Sequence, residues 1–265
     1  MKTILITGST DGIGKLAAIK LAKERHHILL HGRNPEKLNH TIEEVRKASG
    51  NDQIDGCISD LSDFDSIQKM IEDLSGKVSK LDILINNAGV FKSNVPTNKD
   101  GLDLRFAVNY LAPYLLTHGL TALLKKGDAP RLINLSSAAQ ATVSIPALRG
   151  EASLSEQESY AQSKLALTMW SFHLSQKTDF MDVIAVNPGS LLNTRMVQEA
   201  YGRYWSSADK GAEILYQLAV SDQFKNSNGK YFDNDQGSFS DAHPDAYNGD
   251  KVSQLISETD KILKL

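Results

Sequence analysis

The chain has 265 residues, of which 41% are hydrophobic and 23% charged, and its 29 basic and 32 acidic side chains leave a formal net charge of -3. This balance excludes the sequence-wide basic field of a nonspecific nucleic-acid binder, and no apolar run approaches the roughly 20 residues that span a bilayer. The single cysteine, Cys57, excludes an intramolecular disulfide and points to a reducing, cytoplasmic setting.

The amino terminus, Met1–Gly8, is too short an apolar stretch for a signal-peptide core and reads as a first strand. Short apolar segments then recur as strand candidates at Thr3–Ile6, Ile28–His31, Ile54–Ile58, Leu81–Asn86, Arg131–Leu135 and Val183–Val186. Their near-continuous hydrophobicity fits a parallel sheet covered on both faces. Longer stretches with helical spacing separate them. Leu16, Ile19, Leu21 and Ala22 form one apolar stripe, Pro35 opens a second helix, and Ile67, Met70, Ile71 and Leu74 carry a third. Strand and helix alternating in this way imply right-handed crossovers and a doubly wound α/β fold of the Rossmann type.

From Asn226 to Asp250 the chain is rich in Asn, Asp, Gly and Ser, which predicts loops around a short strand at Lys230–Phe232. A final amphipathic helix, Val252–Leu263, packs back on the body. With no repeat and no linker, residues 1–265 read as a single domain.

The first strand runs into Thr7-Gly8-Ser9-Thr10-Asp11-Gly12-Ile13-Gly14 and then a helix. Glycines there allow a tight turn and a close approach of pyrophosphate to bare backbone, and the helix amino terminus attracts anions. A P-loop does not fit, because Gly14-Lys15 is followed by Leu16 and Ser9 stands where the first glycine is needed. The spacing also departs from the G-x-G-x-x-G fingerprint. It resembles the T-G-x-x-x-G-I-G turn of the short-chain dehydrogenase/reductase family at every fixed position.

Further motifs similar to that family's follow in order. Asn87-Ala88-Gly89, preceded by Asn86, resembles N-N-A-G. Asn109 resembles the helix asparagine that the family implies holds a water in a proton relay. Ser136-Ser137 ends the fifth strand candidate, and the resemblance selects Ser137 as the catalytic serine. Tyr160-Ala161-Gln162-Ser163-Lys164 matches Y-x-x-x-K, and Pro188-Gly189 matches the P-G motif. Asp60-Leu61 resembles the adenine-contacting pair after the third strand. Thr194 lies one residue later than the family's usual threonine, so its contact with a cofactor amide is left open.

Tyr160 and Lys164 are four apart and face the same side of a helix. A phenol with an ordinary pKa near 10 is a poor proton shuttle at neutral pH, and a neighbouring ammonium together with an oxidised nicotinamide favours its ionised form. The resemblance implies that Tyr160 exchanges the proton, Lys164 tunes it and binds the nicotinamide ribose, and Ser137 stabilises the substrate oxygen. Dinucleotide sites that choose NAD place a carboxylate after the second strand, but here the segment is Leu30-His31-Gly32-Arg33-Asn34. Arg33 can meet a 2′-phosphate, so NADP(H) is favoured over NAD(H).

The segment Ala138–Ser159 is longer than in compact family members and resembles that of the retinol-dehydrogenase-like branch. It is expected to line the substrate entrance. Residues 190–225 are expected to form a small lid, with Arg195–Trp205 serving equally well as a buried interface helix. Leu165, Leu167, Met169 and Trp170 exceed what one helix face needs, and the resemblance implies a homodimer or homotetramer through that helix. His27 and His31 share a strand without a neighbouring carboxylate, so no metal is expected.

The expected activity is hydride transfer between NADP(H) and the carbonyl or alcohol of a mainly apolar small molecule. NADPH-dependent reduction of an activated double bond and a nucleotide-sensing protein without turnover stay open beside it.

Overall fold

In the computed structural model, which describes residues 1–265, each strand candidate joins one eight-stranded sheet of order β3-β2-β1-β4-β5-β6-β7-β8. The strands are β1 (Thr3–Ile6), β2 (His27–Gly32), β3 (Ile54–Ile58), β4 (Ile83–Asn86), β5 (Arg131–Leu135), β6 (Asp182–Asn187), β7 (Lys230–Asp233) and β8 (Ser238–Ser240). All neighbours pair in parallel except β7 and β8. The edge strand β8 was not expected, because Ser-Phe-Ser carries one apolar residue and no readable period. Leu81 falls outside β4, its amide donating to the Leu123 carbonyl instead.

The sheet separates two apolar cores. One face buries Ile4, Ile6, Ile28 and Leu30 beneath α1 (Gly12–Lys23) and α2 (Pro35–Ser49). The other buries Leu5, Leu29 and Leu84 beneath α3 (Phe64–Lys77) and the helices that follow β4 and β5. Alternate residues of each strand therefore face different cores, which is why the strands are continuously apolar.

After β4 come α4 (Leu104–Phe106), a π-helical segment (Ala107–Leu111) and α5 (Ala112–Leu124). Pro113 has no N–H to give to the Asn109 carbonyl four residues back, and this interrupts the α-helical ladder where the π segment ends. The short α6 (Ile145–Leu148) and the long α7 (Glu156–Lys177) follow β5. Ser155 and Glu158 form a capping box that starts α7. The chain closes with α8 (Arg195–Tyr201), α9 (Ala208–Val220) and α10 (Gly249–Leu263).

Two expectations are corrected here. The apolar surplus of α7 is used inside the chain: Leu165, Leu167, Met169 and Trp170 are each at most 4% exposed. The C-terminal helix contributes to this cover. The hydroxyls of Tyr110 and Thr259 lie 2.7 Å apart, Tyr114 donates to Asp260 at 2.6 Å, and the Tyr114 ring packs 5.2 Å from Trp170. Those residues are thus not a spare surface for a second copy.

The 190–225 stretch is not one lid. α9 buries Ala212, Leu215 and Leu218 against the sheet as a structural layer, whereas α8 has no buried residue. The excursion spanning α8 is pinned at its base, where the Asn193 amide donates to the Ser206 carbonyl at 2.8 Å and the Trp205 amide to Leu191 at 2.9 Å. The segment Ala138–Ser159 is anchored on the body of the chain. α6 buries Ala147 and Leu148, and Arg149 donates to Glu258 of α10 at 2.8 Å.

No helix is long and apolar enough to cross a membrane. Strand order reverses between β1 and β4, so their C-terminal ends diverge and open a crevice, the place where ligands bind in sheets of this kind.

Candidate active site

The glycine turn leaves β1 at this crevice. Its polar side chains hold the turn and do not line it. Buried Thr7 accepts the amides of Asn87 and Ala88, each at 3.0 Å, and buried Ser9 accepts the His31 amide at 2.8 Å. Asn87 in turn donates to the carbonyls of Thr7 at 2.8 Å and Gly8 at 3.0 Å. The Asp11 side chain caps α1 through the Gly12 amide and pairs with Lys37, both at 2.8 Å. The exposed concavity is therefore backbone, and the amides of Ile13 and Gly14 have no protein partner. Such free N–H groups at a helix start suit a phosphate.

Two glycines are sterically required. Gly8 has φ of +62°, and a Cβ there would lie 2.8 Å from the Ala88 Cα; at Gly14 a Cβ would lie 2.5 Å from Asn87 Nδ2 and 2.7 Å from the Gly8 carbonyl. Thr194, despite its shifted position, stands with its methyl 3.7 Å from where a Gly12 Cβ would be, and caps α8.

The neighbouring strand exits complete one side. Thr10 packs against Gly32 at the end of β2, and exposed Arg33 follows directly. Exposed Asp60 leaves β3 and accepts from the Ser62 amide at 2.9 Å and hydroxyl at 2.7 Å, while Leu61 is buried. A carboxylate does flank His27, Asp55 of adjoining β3 at 2.8 Å, which the β2 sequence alone did not reveal. His31 faces other partners, and no group of three His, Cys, Asp or Glu side chains is placed to hold a metal.

On the other side, β5 and α7 bring Ser137, Tyr160 and Lys164 together. Ser136 is buried, with its hydroxyl donating to the Lys164 carbonyl at 3.1 Å and lying 2.7 Å from that of Thr168. It is a core residue. Ser137 is half-buried, and its hydroxyl is close enough to Tyr160 to oppose the effect of burial, which pushes the phenol up to about 12. Lys164 Nζ donates to the Leu135 carbonyl at 2.7 Å and lies 5.6 Å from the Tyr160 ring centroid; burial pushes it down to about 8.

Asn109 sits in the π segment with its side chain on Val90 and Ser163: Oδ1 accepts the Val90 amide at 2.8 Å, and Nδ2 donates to the Val90 carbonyl and the Ser163 hydroxyl at 3.0 Å each.

Sequence reasoning missed several neighbours. Phe91 packs its ring 4.8 Å from Tyr160 and 5.6 Å from Tyr201 of α8. Buried Arg105 donates to the Phe91 carbonyl at 3.0 Å and to Glu156 at 2.7 Å, tying this loop to the start of α7. No motif marks these residues, because their meeting depends on elements far apart in the chain.

The site fits a dinucleotide on its own geometry. Free phosphate-suited amides lie at the glycine turn, and Gly89 brings the end of β4 next to Lys164 and α8, since a Cβ there would lie 3.6 Å from Lys164 Nζ and 3.5 Å from Met196 Cε.

Burying Lys164 has a thermodynamic consequence. A pKa held at about 8 instead of 10.5 corresponds to a folded-state cost of about 3 kcal/mol at neutral pH. Lys164→Met removes that cost but strands the Leu135 carbonyl, an opposing loss of about 2 kcal/mol. The variant should therefore be more stable at pH 7 by about 1 kcal/mol. Below pH 8 the lysine is charged in both states and the cost is complete. Between 8 and 10.5 the native chain sheds its proton first, so the advantage should shrink. Thermal denaturation at pH 7 and 10 tests this, and a lower midpoint for the variant at pH 7 contradicts it.

The short chain dehydrogenase family model matches residues 2–204. The chain is 29% identical over 255 residues to polyprenol dehydrogenase of Homo sapiens, covering 89% of this chain and 77% of that protein. It is 31% identical over 251 residues to retinol dehydrogenase 13 of Mus musculus, covering 88% and 75%. A Shigella flexneri protein described as a short chain dehydrogenase and solved with NADP superposes with a TM-score of 0.72 at 27% identity, covering 88% of this chain and 97% of that one.

Proposed function

The chain belongs to the short-chain dehydrogenase family of oxidoreductases, and on that premise we propose that it uses NADP(H) to interconvert the carbonyl and alcohol of a mainly apolar small molecule. The observation that carries this reading is the placement of Tyr160, Lys164 and Ser137 across one crevice from a bare, anion-suited glycine turn. A similar protein was solved with NADP, and two relatives are named for the apolar alcohols polyprenol and retinol, which supports both finer choices.

A bound nicotinamide would supply or accept the hydride. The chain does the rest. Ser137 and Tyr160 hold the substrate oxygen between two hydroxyls. During reduction Tyr160 donates its proton to that oxygen; during oxidation it accepts one. Lys164 biases Tyr160 toward the phenolate when it is charged, and Asn109 and Lys164 hold the water that reconnects the phenol to solvent. Phe91 and Tyr201 supply an apolar wall that limits water. Gly8, Gly12, Ile13 and Gly14 seat the pyrophosphate. Asp60 and Leu61 flank the adenine, and Asn87, Ala88, Gly89, Pro188, Gly189 and Thr194 border the nicotinamide half.

Arg33 makes no ion pair with the protein and can clamp a 2′-phosphate. Arg33→Ala should lower kcat/KM for NADPH by about 10- to 100-fold, the worth of charge-assisted hydrogen bonds, and leave that for NADH unchanged. Equal losses with both dinucleotides count against the assignment.

The deciding experiment follows NADPH absorbance across aldehydes, ketones, quinones and enones, with NADH as the paired control and product analysis. Alcohol products support the reading and saturated ketones from enones replace it with double-bond reduction. Tight NADPH binding without turnover on any of them favours a sensor.

A further inference from the structure

One buried titratable side chain lies outside the chemistry above yet touches three parts of the nucleotide end. His31, 3% exposed, stands at the end of β2, with its ring between the glycine turn and the β3 exit. Its Nδ1 accepts the Gly8 amide at 3.0 Å, and its Nε2 lies 3.0 Å from the Ser59 carbonyl. A carbonyl only accepts, so the ring proton is on Nε2 and Nδ1 is free to receive Gly8. Burial holds the ring neutral, its pKa pushed down to about 4. The main chain adds a second layer: the Ser9 amide donates to the His31 carbonyl at 3.0 Å, and the His31 amide to the Ser9 hydroxyl at 2.8 Å.

The partners are not interchangeable. Gly8 is the left-handed residue that opens the turn, at φ +62°, beyond the ladder hydrogen bonds of β1. Ser59 precedes Asp60, and His31 itself is two residues before Arg33. A leucine of similar bulk would fill the site but would strand one buried donor and one buried acceptor.

We propose that His31 is a positioning residue for the adenosine end of the dinucleotide: its neutral imidazole locks the glycine turn, the Arg33-bearing exit of β2 and the Asp60-bearing exit of β3 into one rigid seat. This rests on the dinucleotide-binding reading above. The effect expected is shared by NADPH and NADH, because the ring acts on the seat and not on the 2′-phosphate.

The experiment measures NADPH and NADH dissociation constants by fluorescence for the full chain and for His31→Leu, His31→Asn and His31→Gln, with 2′,5′-ADP as competitor. His31→Leu should weaken both dinucleotides and 2′,5′-ADP by about tenfold each, leaving the NADPH to NADH ratio as it was. Asn places its amide oxygen near the position of Nδ1 and Gln its amide nitrogen near Nε2, so each should recover part of the loss. These two variants also keep the test open if the leucine variant does not fold. With an active substrate, KM for NADPH should rise while kcat at saturation holds, a split that general destabilisation does not produce.

Folded variants that all bind as wild type overturn the inference alone. A change in the NADPH to NADH ratio overturns it in favour of direct phosphate contact by the ring. A wild-type chain that binds neither dinucleotide overturns the function reading and this inference with it.

Discussion

Tyr160→Phe is expected to lower turnover by about 100- to 10,000-fold, the usual worth of a positioned proton donor, with NADPH affinity unchanged. The substitution keeps the ring, so the packing against Phe91 at 4.8 Å survives and only the hydroxyl is lost. The pH dependence follows from the two groups. Burial pushes the Tyr160 phenol up to about 12, so it stays protonated at neutral pH and is ready to donate during carbonyl reduction. Oxidation of an alcohol needs the phenolate and should speed up as pH rises. Lys164, pushed down to about 8, loses its charge above that pH and with it the field that favours the phenolate. The rise in oxidation should therefore flatten above about pH 8, whereas reduction should stay level until the phenol itself titrates. Initial rates in both directions across pH check this, and retained turnover in Tyr160→Phe removes the tyrosine from the chemistry.

Gly14→Ala adds one methyl and is expected to do more damage than most core substitutions. Its Cβ would lie 2.5 Å from Asn87 Nδ2 and 2.7 Å from the Gly8 carbonyl, so the turn must move and Asn87 must release the carbonyls of Thr7 and Gly8. Overpacking and the lost hydrogen bonds together cost about 3 kcal/mol, a fall in Tm of about 5 °C for a chain this size. Dinucleotide affinity should fall about 100-fold, because the free amides of Ile13 and Gly14 no longer converge. Gly76→Ala is the control: nothing lies within 4 Å of its Cβ position in the last turn of α3, so binding should persist and stability should rise by up to about 1 kcal/mol. Equal behaviour of the two variants would mean that the close packing under the turn is not needed.

Much of this architecture is legible in the chain. A strand covered on both faces must be apolar at consecutive positions, so β1, β4, β5 and β6 announce themselves, and their alternation with helices fixes the class of sheet. Asp11, Pro35 and the Ser155–Glu158 pair mark helix starts through local capping chemistry. β8 escapes this logic because a short edge strand with one phenylalanine has too few buried positions to show a period.

The sequence by itself determined the doubly wound sheet, the glycine turn and the pairing of Tyr160 with Lys164, since these depend on contacts a few residues apart and on periods that repeat. Tertiary structure alone decided which of two adjacent serines has its hydroxyl buried in the core, that Thr7 and Ser9 brace the turn from within, and that the apolar face of α7 lies under α10. It also decided that α9 is a structural layer while α8 borders the crevice. Each of these rests on burial or on a hydrogen bond between distant segments, such as Gly8 with His31 or Tyr110 with Thr259. A side chain's role there is set by which partner the fold brings to it, and neither residue type nor local spacing encodes that partner.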